Sequence, residues 1–327
     1  MSNENALIQY EGGQTPHLIE AMTTNDNQIF TATFKPFSLR EGFEVSVMPL
    51  GLINGGKITP GDADSVNVAT ALASMPTLSA ADTLGQATVT GAALVLARPT
   101  TGTHLIYSIV INGSGAFEAI AGEEGAAFND TRGEFGGAPF IPVDAIEVGQ
   151  VRLASQDSAA IEQNAIFQVP GLHQEMADFP LFDVVAESGQ VKFNAPLAAI
   201  HVGGTAKRVY VRGYTPLFVD VPSGSAWKAA ENSYSTNSTQ VYGGTIGSTS
   251  KTLNAAGFNA VLKDGHTDPI MSIVGKKGWF KFKQNRYRAP YQLTLGTLGL
   301  ARSFPADGNV EGAFTISPAG PSIDFPA

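Results

Sequence analysis

The chain has 327 residues, a formal net charge of −9 and no cysteine, and only 15% of its residues are charged, against about 25% in a typical globular domain. The absence of cysteine excludes disulfides, thiolate zinc sites, iron–sulfur clusters and cysteine nucleophiles. The high counts of Gly (36) and Pro (19) favour short strands and many turns, in one large all-β domain or in two domains.

The first part of the chain is predicted to be a series of short strands. In FTATFK (30–35) the two phenylalanines and the alanine share one face, and FEVSVM follows as a second strand. Residues 57–80 are expected to hold a strand that runs into one short helix. The segment TVTGAALVLARPTTGTHLIYSIVING predicts a hairpin of two apolar strands. Further strands are predicted in SGAFEAIAG, in VGQVRL and in the proline-broken residues 170–196.

The residue pattern of the sequence changes at Gly203–Gly204. From there, KRVYVRGYTPLFVDVPSG predicts a strand pair, and GGTIGSTSKTLNAAGFNAVLKDG predicts two more strands. The segment DPIMSIVG predicts a short helix with Asp268 as its N-cap, Pro269 at its first position and Gly275 as its end. WFKFK, YQLTLGTLGLARSF and VEGAFTISP complete a mainly β chain. We therefore predict an N-terminal β-rich domain at 1–203 and a second β module at 204–327.

Residues that could support catalysis or metal binding are scattered. The segment His173-Gln174-Glu175 matches the His-x-Glu of zinc deaminases, but that chemistry needs cysteine ligands that this chain lacks. Four carboxylates lie in GEEGAAFNDTRGEFGG (122–137), where glycines favour a solvated loop over a glycosidase site. No phosphate loop or dinucleotide fingerprint is present. The sequence predicts neither an enzyme nor a cofactor or metal site. It also shows no secretory signal and no membrane span.

The charges of the chain are segregated. Between Lys263 and Arg302 eight residues are basic and two are acidic, so this segment carries +6 and the rest of the chain −15. Opposite-signed regions suit a protein that stacks on copies of itself. Six cations form the candidate subunit interface: Lys276, Lys277, Lys281, Lys283, Arg286 and Arg288.

The strand WFKFK lies within this basic segment and has two possible interpretations. Its period of two places Trp279, Lys281 and Lys283 on one face and both phenylalanines on the other. Exposed aromatics beside cations would suit a platform for single-stranded nucleic acid. The simpler interpretation is an edge strand with its phenylalanines in the core and its lysines in solvent, where they discourage wrong strand pairing.

Residues 206–320 resemble the major tail tube proteins of long, non-contractile-tailed phages (siphoviruses, with the chi-like group as the narrower match). The resemblance is carried by DGHTDPI, VGKKGWFKF, GLARSFPADGNV and FTIS, in that order. Earlier segments, notably FNDTRGEFGGAPFIPVDAIEVGQVRLASQ and IFQVPGLHQEMADFP, resemble phage virion structural sequence without matching a defined module.

This resemblance implies a tail-tube β-sandwich or barrel module with one flanking short helix. Six such modules would form a ring whose inner wall is a β-barrel, and rings would stack into the tube through which DNA is ejected. The implied partners are copies of the chain itself and other tail proteins, while genomic DNA passes an acidic lumen without specific binding. The implied location is the virion tail, after synthesis in the host cytoplasm, with residues 1–203 outside the tube. The basic segment would then meet acidic surface on a neighbouring subunit.

Two alternatives share the composition of the chain. The first is another virion structural protein, a capsid decoration or tail-tip protein. The second is a carbohydrate-binding or hydrolytic β protein of a cell surface, against which the missing signal and scattered carboxylates count.

Overall fold

The computed structural model describes residues 5–76 and 84–326, and these are mainly β, arranged in several antiparallel sheets. Two short 3₁₀ helices, Gln163–Ala165 and Pro269–Ile273, interrupt the strands. The strands in chain order are β1 (Leu7–Ala21), β2 (Thr23–Thr24), β3 (Ile29–Thr31), β4 (Ser46–Pro49), β5 (Gly51–Gly55), β6 (Ile58–Pro60), β7 (Ser65–Val68), β8 (Ala71–Pro76), β9 (Leu84–Val89), β10 (Ala92–Val95), β11 (Leu105–Ile111), β12 (Phe117–Ala121), β13 (Ile146–Leu153), β14 (Ile166–Phe167), β15 (Phe182–Val185), β16 (Gln190–Phe193), β17 (Val209–Asp220), β18 (Gly224–Lys228), β19 (Asn232–Val241), β20 (Gly244–Leu253), β21 (Ala256–Leu262), β22 (Lys277–Lys283), β23 (Tyr291–Ser303), β24 (Val310–Pro318) and β25 (Ile323–Phe325).

The chain divides into two compact units that are not contiguous in sequence. Within the described residues, the first unit consists of 5–17, 36–45 and 213–326, and the second consists of 18–35, 46–76 and 84–212. The sequence analysis instead placed a single boundary at Gly203–Gly204. The two divisions differ because the first strand of the chain pairs with a strand near its end, from Leu7 opposite Lys283 to Tyr10 opposite Phe280. Pairing over that separation leaves no local signal in the sequence.

The first unit is built on one antiparallel sheet. Its strands follow the order β18, β21, β24, β23, β22, β1, β17, and β25 also pairs with β23. In β21 and β24 every second residue is buried, so one face of each strand packs on a core. That core is rich in aromatic rings, including the stacked pair Phe258 and Phe314, whose centroids are 4.8 Å apart. The unit thus carries its own apolar core.

The strand β22 lies inside this sheet. It pairs with β1 along one edge and with β23 along the other, so the prediction of an edge strand is wrong. Trp279 and Phe280, which point to opposite faces, are both buried, so the sheet is covered on both sides at this point. Phe37 contacts the Trp279 face, because the indole Nε1 donates a 2.8 Å hydrogen bond to the Phe37 carbonyl oxygen. Placing Trp279 on an exposed basic face was therefore also wrong.

The second unit has a separate aliphatic core, shared by several small sheets. All seven residues of β11 are buried, because this strand pairs with β12 and β13 and is covered on both faces. The alternating burial predicted for residues 30–35 is confirmed, since Phe30, Ala32 and Phe34 are buried while the residues between them are not, but the strand itself, β3, ends at Thr31.

Three local predictions were wrong. The two apolar runs on either side of ARPTTGTH are strands, but β10 pairs with β7 while β11 pairs with β12, so they form no hairpin. A short helix was expected within residues 57–80, but their described part, 57–76, holds the strands β6, β7 and β8, and residues 77–80 lie outside the described residues. KRVYVRGYTPLFVDVPSG holds the single strand β17, not a strand pair. In each case the local pattern located ordered apolar residues but did not determine the type, number or pairing of the elements that they form.

The helix predicted near residue 270 is one 3₁₀ segment, Pro269–Ile273. The Asp268 side chain makes no N-cap hydrogen bond to it. The carboxylate instead accepts hydrogen bonds from the backbone N–H groups of Lys263, Asp264 and Gly265, and so holds the preceding loop. Gly275 has a φ of +81°, a conformation that favours glycine and explains the chain reversal there.

Candidate subunit interface

Four of the six predicted interface cations are exposed, in two pairs, and the other two, Lys281 and Lys283, are only partly exposed within β22. Lys276 and Lys277 are exposed at the start of β22, and Arg286 and Arg288 are exposed in the loop after it. The seven residues of β22 hold these pairs roughly 20 Å apart at about 3.3 Å per residue. The two exposed pairs are therefore separate from each other, and each remains available to an acidic surface.

Lys281 differs from the solvated lysine expected from the strand pattern. It is only partly exposed, and its Nζ lies 4.2 Å from the centre of the Tyr291 ring and 5.1 Å from that of Phe218. Burial lowers the pKa of its ammonium group, and the positive charge of Lys283 lowers it further. Lys281 thus packs its cation on aromatic faces, a favourable contact within the subunit.

The most exposed element of the first unit is a two-stranded ribbon formed by β19 and β20, here called the ribbon. Its ten residue pairs run from Asn232 opposite Leu253 to Val241 opposite Gly244, and Tyr242 and Gly243 form the turn. Every residue from Ser233 to Thr252 is exposed. Sequence reasoning predicted a strand in GGTIGSTSKTL but missed its partner NSYSTNSTQV, whose Ser/Thr alternation carries little hydrophobic signal.

The end of the ribbon is apolar although most of the ribbon is polar. Val241, Tyr242 and Ile246 are 41%, 110% and 64% exposed, and we call these three residues the ribbon tip. Val241 and Ile246 point to the same face, because Val241 pairs with Gly244 and Ile246 is two residues further along that strand. Apolar side chains held in solvent at the end of a ribbon suit contact with a partner.

A second surface feature of the same unit is a cavity of about 440 Å³, here called the aromatic groove. It is lined mainly by rings, with polar groups between them. The lining residues are Phe282, Gln284, Pro290, Tyr291, Gln292, Asp324, Phe325 and Pro326.

The histidine and carboxylate candidates are held in structural contacts of the second unit. His173 is buried, and burial lowers the pKa of its imidazole, followed by the charges of Arg152 and Arg132. His201 Nδ1 lies 2.9 Å from the Pro142 carbonyl oxygen and its Nε2 lies 3.0 Å from Glu175 Oε1. Among the described residues, no group of three or more His, Asp or Glu side chains could hold a metal ion.

Two of the four carboxylates of residues 122–137, Asp130 and Glu124, lie in different surroundings. Asp130 is almost fully exposed, whereas Glu124 accepts hydrogen bonds from the backbone N–H groups of Thr100, Thr101 and Gly102. Hydroxyl groups of Thr100 and Thr101 also donate to it. The Thr101 hydroxyl has the largest effect among these donors, which together lower the pKa of Glu124 to about 2.

This lowered pKa predicts a pH-dependent loop contact. Because the folded-state pKa of Glu124 lies below its ordinary value of 4.5, the contact contributes fully above about pH 4.5 and is lost as the pH falls through about 2. We expect the amide NMR signals of Thr101 and Gly102 to titrate with a midpoint near pH 2. Glu124→Gln should remove this inflection, and a midpoint near 4.5 in the unchanged protein would contradict the assignment.

No protein-family model, no curated protein and no solved structure matches this chain. Within the part of the chain that the structure describes, no helix is both long and apolar enough to cross a membrane. The candidate site is therefore defined by the geometry of the first unit. Its two features are an exposed ribbon with an apolar tip and an open aromatic groove, both on the first unit.

Proposed function

We propose that the chain is a structural virion protein that polymerises through its first unit, forming stacked hexameric rings of a phage tail tube through which DNA is ejected. The observation that carries this proposal is the ribbon. An isolated two-stranded ribbon is at best marginally stable in water, because it has no third strand and no core. Twenty residues held in this form, with both faces exposed, are explained most simply by contact with another molecule.

The composition of the ribbon favours a copy of the same chain as that molecule. Lys251 is the only charged residue between Asn232 and Leu253, so repulsion between like charges would not keep two ribbons or two subunits apart. The outer backbone edges of β19 and β20 have no partner strand among the described residues, and such edges readily pair with another chain. The low charge of the ribbon and its unpaired strand edges both favour self-assembly.

The exposed cations support the same proposal in a secondary role. Lys276, Lys277, Arg286 and Arg288 are available to meet the acidic remainder of a neighbouring copy. Exposed ion pairs are typically worth only about 0–1 kcal/mol each, so they would set the register of subunits more than the strength of assembly. Apolar contacts must supply most of the affinity.

The resemblance to tail tube proteins gives the proposal its specific form. The segments that carry it lie within residues 264–317, a stretch that spans β22, β23 and most of β24, which are adjacent in one sheet. All four of these segments belong to the first unit, which also carries the ribbon. The ring number, the tube and the passage of DNA rest on this resemblance alone.

A shortened ribbon tests the assembly. Replacing residues 236–249 by Asn-Gly joins Ser235 to Ser250 through a favoured two-residue turn and keeps their pairing. All fourteen removed residues are exposed in the subunit, so we expect an unchanged melting temperature. We expect the full chain to form tubes of constant diameter by electron microscopy and rapidly sedimenting species, and the shortened variant to form none.

Other results would favour the alternatives. A full chain that stays monomeric at high concentration would contradict the proposal, and isolated trimers or knobs would favour a decoration or tail-tip protein. Binding to a glycan array would favour the carbohydrate-binding alternative. Tight binding to duplex DNA that falls steeply with salt, without polymers, would indicate that the basic segment contacts phosphates.

A further inference from the structure

The walls of the aromatic groove are held in place by contacts within the first unit. The Tyr291 and Phe325 rings stack with centroids 4.9 Å apart and planes 13° from parallel. The Gln292 side chain joins two polar groups beside the groove. Its Nε2 donates to Asp324 Oδ1 at 2.9 Å, and its Oε1 accepts from Trp227 Nε1 at 2.8 Å. Trp227 in turn stacks on Phe282 at 5.4 Å. The groove is thus preformed, which lowers the entropic cost of filling it.

The base of the ribbon is attached beside this groove. The Ser322 backbone N–H donates to the Ala230 carbonyl oxygen, and the Ala230 N–H donates to Ser322 Oγ, both at 2.8 Å. Ala230 lies two residues before the ribbon begins, and Ser322 lies two residues before Asp324 of the groove wall. The tip is nine residues further along the strand, roughly 30 Å away at about 3.3 Å per residue. An extended ribbon therefore carries its tip away from the groove of its own chain.

We propose that the aromatic groove binds the ribbon tip of a second copy of this chain, an inference that rests on the proposed self-assembly. The tip offers Tyr242 flanked by Val241 and Ile246, without a charge, and the groove offers stacked rings and Pro290. Asp324 is the only charged lining residue, and it already accepts a hydrogen bond from Gln292. Aromatic and apolar side chains are the groups that such a cavity takes best.

This contact would be heterologous, since one copy gives its tip and the next gives its groove. A head-to-tail contact of this kind repeats from copy to copy, and it generates a closed ring or an open filament according to the rotation between copies. Each subunit would keep one tip and one groove for its two neighbours. The contact would therefore join copies within a ring, or one ring to the next, without a second type of subunit.

Cross-linking tests the contact directly, because the chain has no cysteine of its own. Tyr242→Cys would be prepared unlabelled and Gln284→Cys with ¹⁵N, then mixed and treated with a short bismaleimide linker. We expect peptides that join position 242 of one batch to position 284 of the other. Mixing Tyr234→Cys with Gln284→Cys is the matched control, since position 234 lies near the ribbon base, and we expect little linkage.

The outcomes separate this inference from the proposed function. Polymers of the unchanged chain without the 242–284 link would overturn the groove as the acceptor and leave self-assembly standing. Absence of both polymers and the link would overturn both. A double variant, Tyr242→Cys with Gln284→Cys, that links within single chains at high dilution would show that the tip reaches its own groove, which also overturns the inference.

A tip variant gives the expected size of the effect. Tyr242→Ser with Ile246→Thr removes most of the apolar surface of the tip, and we expect the concentration needed for polymerisation to rise about tenfold or more. Tyr234→Ser, which removes a 66% exposed ring elsewhere on the ribbon, should change it less than about twofold. Equal effects of the two variants would overturn the tip as the docking element.

Discussion

Replacing Phe280 by Asp is expected to unfold the first unit. Phe280 is fully buried in the core that contains Phe258 and Phe314. Truncation of a buried phenylalanine to alanine typically costs about 3–5 kcal/mol. A carboxylate at this position adds the cost of placing a charge among apolar side chains. Hydrogen exchange of β21, β22 and β24 should therefore lose its protection, and polymers should no longer form.

The matched control for this change is Tyr287→Asp. Tyr287 lies seven residues further along the chain and is 80% exposed, and its backbone N–H bonds to Asn285 Oδ1 without using the ring. We expect this variant to fold normally, with the same exchange protection in the three strands. If Phe280→Asp kept that protection, its side chain would not have the core role that the burial pattern of β22 gives it.

Replacing Glu147 by Ala is expected to destabilise the second unit by about 3–5 kcal/mol, the usual cost of removing one partner of a buried ion pair. Glu147 is 1% exposed, and its carboxylate accepts hydrogen bonds from Ser108 Oγ, Arg132 Nη2 and Gln150 Nε2. Its loss leaves the guanidinium of Arg132, which is only 13% exposed, without its partner. The loss of unfolding free energy is measured by denaturant unfolding, with hydrogen exchange of the β11 and β13 amides as the readout.

Two further variants test the cause of that destabilisation. Burial raises the pKa of Glu147 although Arg132 and its other partners lower it, so the pairing does not fully offset the loss of water. We therefore expect Glu147→Met combined with Arg132→Met to be more stable than Glu147→Ala. Asp130→Ala, which removes a 99% exposed carboxylate 3.9 Å from Arg152, should change stability by about 0–1 kcal/mol. A double variant less stable than Glu147→Ala would contradict this account.

On the proposed docking contact, the basic segment would contribute less to the affinity between copies than the tip and the groove. Lys281 is packed on the rings of Phe218 and Tyr291, so changing it would disturb a wall of the aromatic groove along with the charge. Substituting the exposed cations at the two ends of β22 would test the role of charge in assembly without disturbing this packing. The tip and the groove, which hold almost no charge, are expected to supply more of the affinity.

The sequence by itself determined the mainly β class, most strand positions and the core faces of several strands. Strand formation and its period of two are local, so the alternation at Phe30, Ala32 and Phe34 and the core position of Phe280 could be predicted from neighbouring residues. Glycine and proline marked many of the turns for the same reason. The candidate cations could be listed from sequence, but the separation of the four exposed ones into two pairs could not.

Only the tertiary structure decided which strands pair and what covers their second faces. The first strand of the chain pairs with β22, Phe37 contacts Trp279, and β10 and β11 enter different sheets. The aromatic groove likewise combines residues far apart in the chain, from Phe282 to Pro326. Backbone hydrogen bonds are alike for every pair of strands, so partner choice depends on the long-range burial of side chains, which a local pattern does not contain.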